Sequence, residues 1–75
     1  MKFAFIIMNN FNSKEDRAYI HGGAAQIIGV KDIEDAIAVA RELQADGISC
    51  IELCGAFGAK GAKRLIDATD NKIAI

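Results

Sequence analysis

The sequence predicts one small two-layer α/β domain. Its sheet is mixed but mainly parallel, with four to five strands and two helices packed on one face, in the order β-(β)-β-α-β-α-β. Three observations predict this. From residue 25 onward, short β-prone apolar runs alternate with two segments of helical periodicity, the pattern of crossover-linked parallel strands. Residues 2–8 are nearly continuously apolar, as a central strand requires. The chain has 75 residues, is 52% hydrophobic and has no proline, so it folds, but it has no room for a second domain.

Lys2–Met8 (KFAFIIM) reads as a strand covered on both faces, ended by the Asn9-Asn10 turn. Asn10–Asp16 (NFNSKED) is polar, and Ser13 and Asp16 stand at capping-box spacing, which favours a single helical turn. Arg17–His21 (RAYIH), Gly22-Gly23 and Ala24–Val30 (AAQIIGV) read as a hairpin around a glycine turn. A competing reading runs a helix from Lys14 to His21 and stops it at Gly22. The hairpin is preferred because it leaves only a short, ordinary loop.

Asp32 caps the first long helix, with Asp35 three residues on. Ile33, Ala36, Ile37, Ala40 and Leu43 form its apolar stripe, and Glu34, Asp35, Arg41, Glu42 and Gln44 its wet side. Gly47 closes it. Along Ile48–Cys54, alternation puts Ile48, Cys50, Glu52 and Cys54 on one face and Ser49, Ile51 and Leu53 on the other. Gly55–Gly58 (GAFG) is a turn. Ala62, Leu65, Ile66 and Thr69 recur at helical spacing in a second helix from Ala59, and Lys72–Ile75 (KIAI) is a last short strand. Two successive right-handed crossovers imply three parallel strands with both helices on one face, to which the N-terminal strand and hairpin add. The other face then has no cover within the chain. Self-association covers it most simply, so a homo-oligomer, a dimer or larger, is expected.

Composition excludes several function classes. Nine basic and ten acidic residues give a net charge of −1, and no Lys/Arg run lies beside aromatics, so no nucleic-acid partner is expected. No apolar run approaches the ~20 residues of a membrane span. No export signal precedes the first strand, so a cytoplasmic setting with reduced thiols is expected. Cys50 and Cys54 would lie about 13 Å apart on a regular strand, too far for a disulfide. With one histidine in the chain no zinc set is evident, and no metal or cofactor is assigned.

The candidate site is the stretch Ile48–Gly61, ISCIELCGAFGAKG. Ligands of open parallel sheets sit beyond the carboxyl ends of the strands, an edge that gathers Asn9, Asn10, the Val30-Lys31 turn and Glu52–Gly58, of which Asn9, Glu52, Cys54, Gly55, Phe57 and Gly58 are the candidate ligand contacts. Gly55, Gly58 and Gly61 permit close backbone approach. The helix that follows lacks a capping side chain, and a bare helix start with Lys60 nearby attracts anions. The bland alternative is that the glycines serve a turn and helix packing. Glu52 lies in an apolar run and is either a general base or ligand grip, or a structural ion pair, for instance with Arg17 or a lysine, or an exposed residue at the strand end. Cys54 is either a nucleophile or a small buried side chain. His21, before Gly22-Gly23, is read as an ordinary turn residue. Three functions follow. They are an oligomeric module holding a small anionic metabolite at Gly55–Gly58, a partner-binding subunit acting through the uncovered face, and an enzyme with Glu52 as base and Cys54 as nucleophile.

KFAFIIM, QIIGVKDIEDA and GISCIELCGAFGAKGAKRLIDAT resemble a small prokaryotic family of short α/β proteins classed as a domain of unknown function. Ile51–Gly58 (IELCGAFG) is the most specific part. The resemblance implies the same fold and a cytoplasmic setting, and it brings no substrate, cofactor or catalytic residue.

Overall fold

A computed structural model describes residues 1–75. The elements are β1 (Phe3–Met8), β2 (Arg17–Ile20), β3 (Ala25–Val30), α1 (Ile33–Ala45), β4 (Cys50–Leu53) and α2 (Gly58–Ala68), with short 3-10 turns at His21–Gly23 and Gly55–Phe57. The sheet order is β2-β3-β1-β4. β1 pairs in parallel with β3 and β4, and β2 runs antiparallel to β3. The protein is thus a single two-layer α/β domain with a mixed sheet and two helices.

The hairpin forms as expected, and its turn carries three left-handed residues, His21, Gly22 and Gly23. The preceding polar segment does make one turn, but Ser13 does not cap it. Asn12 and Asp16 close it: the Asn12 carbonyl accepts from Asp16 N–H at 2.7 Å, and Asp16 Oδ2 accepts from Asn12 N–H at 2.7 Å. Ser13 Oγ instead donates to Asp35 Oδ1 at 2.9 Å, tying this loop to α1.

α1 starts where Asp32 Oδ1 accepts from Asp35 N–H at 2.8 Å. Its buried stripe is Ala36, Val39, Ala40 and Leu43, with Ile33 and Ile37 half-buried. The helix is turned toward Val39 relative to the expected stripe. α2 buries Gly61 and Leu65 against α1 and the sheet. Thr69 is fully buried at its end, with Oγ1 donating to the Leu65 carbonyl at 2.9 Å.

Two expectations about the sheet are corrected. β1 is the centre of the parallel core, not an addition to it, because the crossover through α1 passes over β1 and places β4 on its far side. The fifth strand is reduced to one parallel bridge between Ala74 and Cys50. The segment is held instead by Ile73, 4% exposed, whose side chain joins the core.

The core lies on the helix side alone. Ala4, Ile6, Ile28, Val30 and Ile51 point from the sheet into it. β1 is therefore central but covered on one face only. By register, Phe3, Phe5, Ile7, Ala25, Ile27, Ala18, Ile20, Cys50 and Glu52 share the opposite face.

Candidate functional site

β4 runs into the Gly55–Phe57 turn and then into α2, as expected. Glu52, Cys54, Gly55, Phe57 and Gly58 line one open hollow of about 290 Å3, together with Leu53, Ala62 and Ile75. Asn9 and Lys60 are not among its walls. Asn9 N–H donates to the Val30 carbonyl at 2.9 Å, and Asn9 Oδ1 accepts from Asn10 N–H at 2.8 Å. Lys60 lies exposed on α2.

The three glycines have different causes. Gly58 adopts φ 62° and ψ −178°, a region that essentially only glycine enters, and this conformation turns the chain into α2. Gly61 packs so closely that a Cβ there would lie 3.1 Å from Ile33 Cδ1 and 3.2 Å from Phe57 Cβ. Gly55 faces open space with an ordinary backbone. Turn and packing therefore account for two of the three. α2 begins with no side-chain cap.

Of the alternatives for Glu52, exposure at the strand end is the one found, not a buried carboxylate or a structural ion pair. Glu52 is exposed because β4 is short and its outward face is the uncovered side of the sheet. Arg17 is not its partner. That guanidinium projects to the helix side and meets Glu42 Oε1 at 3.1 Å. Burial lowers the Arg17 pKa, but hydrogen bonding and charge from Tyr19 and Glu42 outweigh it and hold the value above the usual one. Cys54 leaves the Glu52 face and packs against the core, with its Sγ accepting from Met8 N–H at 3.4 Å. Ile48 likewise turns inward. Strict alternation holds only within the paired residues of β4.

The hollow is therefore a largely apolar depression with one exposed carboxylate on its rim and a bare helix start at its floor. No group of three or more His, Cys, Asp or Glu side chains converges to hold a metal ion. No helix is long and apolar enough to cross a membrane.

A second feature is more uniformly apolar. On the uncovered sheet face, Phe3, Phe5, Ala18, Ile20, Ala25 and Ile27 surround a depression of about 200 Å3. Ile20 is 68% exposed and Ile27 41%, high values for branched apolar residues on strands. Further along β3, Phe11 lies over Gly29, where a Cβ would fall 2.6 Å from Phe11 Cγ. The apolar character of both faces of KFAFIIM signals this surface. Phe11 carries no signal, since its role depends on a glycine eighteen residues later.

The model of a family described as "Family of unknown function (DUF6506)" matches residues 1–75. No curated protein and no solved structure matches the chain.

Proposed function

The chain belongs to this family of unknown function, so its role has to be read from its own surface, and we propose that it is an assembly subunit acting through the uncovered face of its sheet. One observation carries this reading: a whole sheet face is apolar, with Glu52 as its one charged side chain among the register-aligned residues. Leaving that much apolar surface in water is unfavourable by about 25 cal/mol per Å2, and contiguous exposed patches of this kind mark interaction sites. The test is hydroxyl-radical footprinting of the protein in cell extract. Phe3 and Phe5 are expected to be protected, and Ile27→Lys, which touches no core residue, is expected to restore their oxidation. Oxidation of both rings at the rate of the unfolded chain would refute the reading.

The bare start of α2 favours a second use, a small anionic metabolite at the Gly55–Gly58 turn. Glu52 on the rim adds a requirement: the ligand also presents a hydroxyl or ammonium donor to that carboxylate. Phosphate, sulfate or a hydroxy acid at millimolar level then raises the melting temperature. No shift with any of them removes this reading. The enzyme reading is the weakest, since Cys54 Sγ is turned to the Met8 amide and Glu52 has no hydrogen-bond partner to position it.

A further inference from the structure

We infer that the cover of the open sheet face is a second copy of this chain, stacked sheet on sheet about a two-fold axis that crosses the strands near Ile27. The inference rests on the reading that the face is covered, and it names the partner.

The first support is shape. The face carries a depression and a raised ring at opposite ends of one strand. The depression centres on Ala25 and Ile27 of β3, flanked by Phe3 and Phe5 on one side and Ala18 and Ile20 on the other. The raised ring is Phe11, over Gly29 of the same strand. Ala25 and Gly29 are about 13 Å apart at ~3.3 Å per residue. A two-fold axis perpendicular to the strands lays β3 antiparallel over its copy. Each Phe11 then comes over the other copy's depression, and the fit is made twice. An axis parallel to the strands would set ring on ring and depression on depression. An isologous interface needs one surface that complements itself, and the first arrangement meets that need.

The second support is size. The molecule is a slab with extents of 31 × 27 × 18 Å. Its thin direction is that of its two layers, so the sheet forms one of its broad sides. A standard interface removes about 800 Å2 from each partner, roughly a sixth of the total surface of 4572 Å2. A broad side of this slab is of that order, and neither edge of the sheet is.

The third support is charge. Arg17 is drawn to the helix side by Glu42, and Glu52 stands on β4, two strands away from β3. Glu15, Asp16 and Arg17 border the face only at its Phe11 end, and no charged residue lines the depression itself.

The purified chain is examined by sedimentation velocity from about 1 to about 100 μM, a range wide enough to expose mass action. A dimer is expected. Phe11→Ala and, separately, Ile20→Asp are each expected to weaken it about tenfold or more. Ile20 is exposed in the monomer, so Ile20→Asp keeps the fold even should Phe11→Ala loosen its loop. In the Phe11→Cys/Ala25→Cys chain, mild oxidation is expected to give a covalent dimer that neither single variant gives. A monomer throughout this range overturns the inference, as does a dimer indifferent to Ile20→Asp or a double variant that forms no cross-link. Protection of Phe3 and Phe5 in cell extract with a monomeric pure chain would sink the self-pairing alone and leave the assembly reading standing.

Discussion

Gly58 and Gly55 stand three residues apart and answer to different physics. Gly58 holds a backbone conformation that a Cβ penalises by about 1–3 kcal/mol. Gly58→Ala is therefore expected to lower the unfolding free energy from urea denaturation by that much, while Gly55→Ala, in open space, stays within about 0.5 kcal/mol of the parent. Equal costs would mean that the turn is not where the constraint lies. Gly29 is constrained by a neighbour and not by its own dihedrals. A methyl there meets the Phe11 ring at 2.6 Å, an overlap worth about 1–3 kcal/mol in a packed site. In Gly29→Ala/Phe11→Ala the clash disappears, so the double variant is expected to be less destabilised than the two single changes added together. Strict additivity in a denaturation cycle would show that the two side chains do not compete for one space.

Among the elements, α1 depends most visibly on its start. Asp32 satisfies the Asp35 amide, and Asp35 in turn accepts from Ser13 Oγ and Lys31 N–H. Asp32→Ala is expected to cost about 1 kcal/mol, with Asp32→Ser recovering most of it. The C-terminal segment illustrates the opposite case, an element with almost no ladder. Ile51 N–H donates to the Ala74 carbonyl at 2.8 Å, and Ala74 N–H donates to the Ser49 carbonyl at 3.1 Å. The buried side chain of Ile73 keeps both in place. Ile73→Ala is expected to cost about 2–4 kcal/mol, and hydrogen exchange at the Ile51 amide should accelerate with it. Unchanged protection at Ile51 would mean that the backbone bonds hold the segment unaided.

For the whole molecule, 16 of 75 residues are buried, a small core for a cooperative fold. If the open face is covered by a like chain, the melting temperature rises with protein concentration. Ile27→Lys is expected to abolish that rise without lowering the melting temperature at high dilution, since Ile27 is outside the core. A concentration-independent melting curve for the parent would contradict this. Much of this was legible in the chain's own order of residues. The period-two runs, the helical stripe after Asp32, the glycine turns and the missing cap before α2 are local patterns, and local backbone and side-chain preferences alone determine them. Three things were decided only by packing in three dimensions. Strand order put β1 between β3 and β4, because the length of the crossover through α1 permits either neighbour. The exposure of Glu52 followed from which sheet face the helices chose, which no single strand encodes. The meeting of Phe11 with Gly29 arose because a folded loop can cross a strand that lies far away in sequence. Periodicity specifies which side chains share a face, but only the assembled layers decide which of those faces meets water.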